Sequence, residues 1–168
     1  VRRDRLDRDG NGAYERAAVS QTIDNADGSQ TKTDRMEGGD GTLLSQTIVD
    51  ISASGLTRTE TVDLDGDGLT DRQSTSATVR SAVDGSSTVT EDMTARDGSG
   101  LGQTVTQVSA DGLSKLVASD VDGDGIADRT ISDVTVVAAD ESRTQTVIKT
   151  SSIGSVLSRT VTTRAVDG

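Results

Sequence analysis

The chain has no cysteine, histidine, proline, phenylalanine or tryptophan, and its one aromatic residue is Tyr14. Each absence excludes something. Without Cys no disulfide braces the fold, and without Cys or His the usual zinc and thiolate sites cannot form. Without His no Ser-His-Asp arrangement or imidazole base can be built, and only Lys32, Lys115 and Lys149 could serve as amine bases, so the chain does not read as an enzyme. Without large side chains a core of ordinary thickness cannot be filled. Without Pro a backbone hydrogen-bond ladder can run unbroken, because Pro removes a donor. No apolar run approaches the length that spans a membrane. The sequence opens on Val1 without a signal-peptide pattern, from which we expect an internal stretch of a longer polypeptide.

What is present is acidic and repetitive. The 168 residues carry 28 Asp and Glu against 17 Lys and Arg, a net charge of −11, and only 31% are hydrophobic. The string DVDGDGIAD, from Asp120 to Asp128, recurs as DLDGDGLTD from Asp63 to Asp71, and in altered form as DRDGNGAYE from Asp7 to Glu15. In the third copy Asp120, Asp122 and Asp124 alternate with other residues, Gly125 permits a sharp reversal, and Asp128 follows. A loop curling round an ion presents every second side chain inward, with a backbone carbonyl, here that of Ile126, at the seventh position. The second copy offers Asp63, Asp65, Asp67, the Leu69 carbonyl and Asp71. The first offers Asp7, Asp9, Asn11, the Ala13 carbonyl and Glu15.

Calcium takes six to eight oxygens in a flexible cage and suits this donor set better than magnesium, which keeps its water and demands octahedral geometry. We expect about one Ca2+ per repeat. The loops are not EF-hands, because the bidentate Glu at the twelfth position is replaced by Ala18, Ser74 and Ile131. In the first copy Asn11 and Glu15 each replace Asp, and Arg8 adds a positive charge, so weaker binding is expected there. The loops hold three, four and four carboxylates at ligand positions, which matches the whole net charge of −11. Stripped of a cation, each loop repels itself.

Glycines closing Asp-Gly or related turns recur every 13 to 17 residues, from Gly12 through Gly28, Gly41 and Gly55 to Gly154, with Glu141 standing where one more is expected. Every fourth turn is expanded into an acidic loop. The period is about 56 residues, a length that points to solenoids, propellers or arrays. The segments between turns, such as STVTEDMTA from Ser87 and RTQTVIKT from Arg143, are rich in Thr and Val and read as strands. Asp-Gly between such runs signals hairpins in which both turn positions accept positive φ. The fold expected is all-β: about twelve strands in tandem repeats forming an elongated, solenoid-like antiparallel meander, with a parallel β-solenoid as the alternative. The repeat boundaries are residues 1–6 (the end of a preceding repeat), 7–62, 63–119 and 120–168, the last continuing in a longer array.

The DxDxDGxxD loops at Asp63–Asp71 and Asp120–Asp128, followed by runs such as SDVTVVAADESRTQTV, resemble the repeat regions of very large calcium-binding bacterial surface proteins of the RTX-like or adhesin-like kind. The RTX nonapeptide itself is absent. The nearest string, GGDGTLL from Gly38, has Leu43 where its Asp ligand would stand. The resemblance implies secretion, calcium-dependent folding, and a place in adhesion, biofilm matrix or surface filaments.

The expected function is therefore structural: a calcium-stabilised β-repeat rod or extracellular filament or stalk at the bacterial surface. Its partners would be neighbouring repeats of the same longer chain and identical chains in a fibre. A calcium-dependent adhesive module for glycan or protein is the alternative, with Tyr14 as the only aromatic platform. Net negative charge argues against nucleic acid.

Overall fold

The computed structural model describes residues 1–165 of the chain. Among them there is no helix, and twelve strands account for nearly all regular structure: β1 (Arg2–Leu6), β2 (Arg16–Asp24), β3 (Gln30–Gly38), β4 (Leu43–Ile51), β5 (Thr57–Asp63), β6 (Arg72–Arg80), β7 (Ser87–Ala95), β8 (Gly100–Val108), β9 (Ser114–Asp120), β10 (Arg129–Val137), β11 (Arg143–Ser151) and β12 (Val156–Arg164). Strand order follows chain order without a crossover, in an open sheet. The pairs are antiparallel, from Arg2↔Ser20 between β1 and β2 to Arg143↔Arg164 between β11 and β12. A parallel solenoid is thereby removed as an alternative, for a physical reason: connections this short can reverse a strand but cannot carry it back to a parallel start.

The chain divides into two compact units, Val1–Ala77 with Met93–Ser99, and Thr78–Asp92 with Gly100–Gly168. In the first, β1 to β6 form a meander, with Thr22↔Lys32 and Thr59↔Thr75 among its pairs. In the second, β8 to β12 do the same, through Thr106↔Val117 and Val134↔Thr146. Register shifts by one residue at Met36/Glu37 and again at Lys149/Thr150, each a bulge just before a tight turn.

Neither unit has a thick core. Among the described residues only Ala17, Val19 and Val62 are buried apolar side chains, and none is fully enclosed. Val83 and Ile153 are almost wholly exposed, at 98% and 87%. The shortage of aromatic and long aliphatic side chains explains this, since Thr and Val cover a pleated surface without supporting a second layer. Cohesion falls to the backbone ladder and to cross-strand pairs. Thr130 and Thr150 share a hydroxyl hydrogen bond across β10 and β11. Gln145 Nε2 donates to both oxygens of Asp133, at 2.9 and 2.8 Å.

The hairpin turns differ from the sequence expectation. At Asn25–Ser29 the Asn25 amide donates to the Ser29 carbonyl (2.8 Å) and the Gly28 amide to the Asn25 carbonyl (3.0 Å), with Gly28 alone at positive φ, +84°. This is a type I turn followed by a left-handed residue, a three-residue loop rather than a two-residue one. Asp27 keeps an ordinary backbone, and its carboxylate accepts from the Ser29 amide (2.9 Å) and hydroxyl (2.6 Å). The Asp is selected as an acceptor, not for conformational freedom. Glu141, in the turn after β10, adopts φ +67° and is the only described non-glycine residue at positive φ, so it takes the backbone role that glycine has elsewhere.

These turns set an acid limit. Hydrogen bonds from the Ser29 side chain and amide hold Asp27 below the usual carboxylate range, and Thr42, Ser99 and Ser142 do the same for Asp40, Asp97 and Asp140. Ser81, with the amide and hydroxyl of Ser86, lowers Asp84 to about 2. A depressed folded-state pKa gives stability that is full above the unfolded value, 3.8, and is lost as pH falls through the folded one. The melting temperature should therefore hold above about pH 4 and drop as pH falls toward 2. In Asp84→Asn the drop should be shallower, because Asn still accepts a hydrogen bond but does not titrate. An identical acid profile in that variant would count against the turn acceptors.

Candidate metal sites

The three acidic strings fold into three loops of one design, after β1, β5 and β9. In each, the first Asp caps the loop from within. Asp63 Oδ1 accepts from the Gly66 amide at 2.6 Å and Oδ2 from the Gly68 amide at 2.9 Å. Asp120 takes Gly123 and Gly125 at 2.7 and 2.9 Å, and Asp7 takes Gly10 and Gly12 at 2.7 and 2.9 Å. The last acid reaches back to the second residue. Leu64 donates to Asp71 at 2.7 Å, Val121 to Asp128 at 2.8 Å, and Arg8 to Glu15 at 2.7 Å. The longer Glu15 side chain thus makes the same closure as Asp.

These bonds leave carboxylate oxygens facing one another. Asp7, Asp9 and Glu15 bring one oxygen each within 4.8 Å of the others, as do Asp63, Asp65 and Asp71, and Asp120, Asp122 and Asp128. Three convergent carboxylates of this kind can hold a metal ion, and oxygen-only donors suit a hard cation. Asp63 is also buried, at 8% exposed, which raises the need for a counter-charge. At Asp120 burial pushes the carboxyl up, but hydrogen bonds from Gly125, Gly123 and Asp122 together leave the group below its ordinary value.

At the fifth position, Asp67 and Asp124 stand outside those clusters. Asp67 accepts from the Leu69 amide (2.7 Å), Asp124 from Ile126 (2.7 Å), and Asn11 Oδ1 from Ala13 (2.7 Å). The residues expected to lend backbone carbonyls, Ala13, Leu69 and Ile126, are thus fixed in place through their amides. In the first loop Asn11 Nδ2 also donates to Asp9 Oδ2 at 2.9 Å and the Asn11 amide to Oδ1 at 3.2 Å, so both Asp9 oxygens carry a hydrogen bond that a cation would compete with.

Two features escaped the sequence. Gly66 passes directly over β4: a Cβ there would lie 2.2 Å from the Leu43 carbonyl oxygen, and one on Gly123 would lie 2.3 Å from that of Gly100 at the start of β8. The loop is therefore seated on the strand next to it, and only glycine fits. The second is Arg96, in the turn after β7, whose Nη1 lies 2.8 Å from Asp67 and 3.7 Å from Asp71. The Leu69 amide and Arg96 together hold Asp67 below the usual range. Arg96 is 29 residues from Asp67, and no local pattern joins them.

No protein-family model matches the chain, and neither a curated protein nor a solved structure matches it.

Proposed function

We propose that the chain is a structural β-repeat segment stabilised by calcium, serving as a stalk or filament element of an extracellular bacterial surface protein. The observation that carries this reading is the recurrence of one loop, with one hydrogen-bond scheme and three convergent carboxylates, three times among strands that lack a core. A chain that buries so little apolar surface gains most from ions that neutralise its densest charge. Calcium fits because three carboxylates with room for carbonyls and water make a flexible oxygen cage. Weak oxygen sites fill at millimolar concentrations, which supports reading the protein as extracellular. Its partners in this role are neighbouring repeats and identical chains.

Calorimetric titration with calcium tests the proposal. Three ions are expected per chain, with the first loop weaker because Asn11 competes for Asp9, and the second weakened by Arg96. Replacing Arg96 with Ser removes a positive charge 3.7 Å from Asp71 and should raise calcium affinity of the second loop several-fold, less at higher salt. Absence of calcium uptake would remove the reading altogether. Uptake with no change in Arg96→Ser would confine the error to the role given to Arg96.

A further inference from the structure

The chain has two asparagines, Asn11 and Asn25, and Asn11 alone is followed by glycine. An asparagine side-chain amide is lost when the next backbone nitrogen attacks its Cγ. Glycine in that next place leaves the nitrogen unshielded and the backbone free to reach the geometry of attack. Asn25 lacks both advantages. It precedes Ala26, whose Cβ shields the nitrogen, and its side-chain amide is held by the Ser29 hydroxyl at 2.9 Å in a partly buried turn. The Asp-Gly steps have no ammonia to lose, and an ionised carboxylate is a poor electrophile.

The other two acidic loops show what a carboxylate at position 11 would meet. Asn11 Oδ1 accepts from the Ala13 amide at 2.7 Å, the distance at which Asp67 accepts from Leu69 and Asp124 from Ile126. Gly12 donates to Asp7 at 2.9 Å, as Gly68 does to Asp63 and Gly125 to Asp120. An aspartyl side chain therefore enters a hydrogen-bond scheme that is already complete, and forfeits the bond from Asn11 Nδ2 to Asp9. Water reaches the step as well. Asn11 and Gly12 are exposed, and so are Asp67, Gly68, Asp124 and Gly125, in loops that do rest on a neighbouring strand. Exposure is thus a property of this place in the loop design.

We propose that Asn11–Gly12 is a self-modification site, where loss of ammonia turns the side-chain amide into a carboxylate and gives the first loop the four carboxylates of the other two. The Gly12 nitrogen gives up its proton and bonds to Asn11 Cγ. The Cγ–Nδ2 bond breaks, and Nδ2 leaves as ammonia with that proton. Water then opens the five-membered imide. Attack at Cγ breaks the new bond to Gly12 and yields an aspartyl residue. Attack at the Asn11 main-chain carbonyl breaks the original peptide bond and yields the β-linked isomer, whose main chain is one carbon longer and displaces Gly12 from Asp7. In the closed loop both reacting groups are engaged, Gly12 by Asp7 and the Asn11 side chain by Ala13 and Asp9. The reaction therefore proceeds from the opened loop, more slowly than in the unfolded chain. The modification stands on the loop chemistry alone. Its effect on the ion rests on the calcium reading: a fourth carboxylate, and no amide donor on Asp9, should tighten the first loop.

Incubation of the folded chain at neutral to mildly alkaline pH tests it, with released ammonia and peptide masses followed beside the same chain in denaturant. One ammonia per chain is expected, from Asn11, faster as pH rises because the Gly12 nitrogen must shed its proton, with Asn25 intact. Gly12→Ala should lose most of this release. Nothing lies within 4 Å of the added Cβ, so the loop can accept it, and any loosening of the loop would act in the opposite direction. In calcium titration the aspartyl form recovered from aged protein should match Asn11→Asp, with the first loop several-fold tighter than in fresh protein. An Asn11 still intact in the folded chain long after the denatured chain has converted, or equal conversion at Asn25, overturns the proposal. Conversion of Asn11 in a chain that takes up no calcium supports the modification and removes the cation reading. Calcium uptake by a chain whose Asn11 stays an amide does the reverse.

Discussion

Replacing Gly66 with alanine should destabilise the protein by about 3 kcal/mol or more, while the same change at Gly68, two residues on, should cost about 1 kcal/mol. The two glycines share a left-handed backbone, φ +77° and +82°. The conformational penalty of a Cβ is thus the same for both, and it cancels in the comparison. What differs is the space. Around Gly68 nothing lies within 4 Å of the added atom, whereas at Gly66 it would sit 2.2 Å from the Leu43 oxygen, 2.7 Å from the Leu43 carbonyl carbon and 3.0 Å from the Leu44 carbonyl carbon. These are backbone atoms of a paired strand and cannot swing aside. Either the loop lifts, breaking the Gly66 bond to Asp63, or β4 shifts against β5. Gly123→Ala should behave like Gly66→Ala, with 2.3 Å to the Gly100 oxygen, and Gly125→Ala like Gly68→Ala. Denaturant midpoints of the four variants decide the matter. Equal losses at Gly66 and Gly68 would mean that the seat of the loop on β4 carries no weight.

That contrast also marks where the sequence stopped being informative. The alternation Asp63, Asp65, Asp67 and the spacing to Asp71 were legible because a loop's ligand order is local, as were strands such as β7, whose Ser87–Ala95 limits coincide with a Thr- and Val-rich run. The all-β antiparallel meander was legible for the same reason, since each turn determines only the pair it joins. The turn type was not. Asp-Gly suits a two-residue turn and a three-residue one alike, and the choice at Asn25–Ser29 is made by how the flanking strands end. Contacts between distant segments were not legible either. Nothing near Gly66 in sequence announces Leu43, and nothing near Asp67 announces Arg96. Which carboxylates converge was legible only in part. Position alone makes Asp67 and Asp65 equivalent, but Asp65 joins Asp63 and Asp71 while Asp67 turns to Leu69 and Arg96.

The second large effect follows from those convergent carboxylates, and it has a sign reversal that a generic stabilising ion would not produce. At 4.8 Å in water each pair of charges in a cluster repels by about 0.9 kcal/mol, so three pairs cost a loop about 2.6 kcal/mol, less as salt screens them. Calcium at a hundredfold excess over its dissociation constant returns about 2.7 kcal/mol per loop, about 8 kcal/mol for three independent loops. Chelation should therefore lower the melting temperature by well over ten degrees, and salt added to the chelated protein should restore part of the loss. Magnesium should restore less than calcium, because the cage lacks octahedral rigidity. Asp65→Asn separates repulsion from ligation. Asp65 is exposed, and its one hydrogen-bond partner among the described residues is the Asp67 amide at 3.1 Å, a bond that an Asn oxygen can also accept. With the fold otherwise untouched, the variant should be more stable than the unaltered chain in chelator, where it removes a like charge, and less stable in calcium, where it replaces a charged ligand with a neutral one. Melting curves that ignore chelator, or an Asp65→Asn effect of one sign in both buffers, would show that the second loop is an acidic turn held by its own hydrogen bonds and not a seat for an ion.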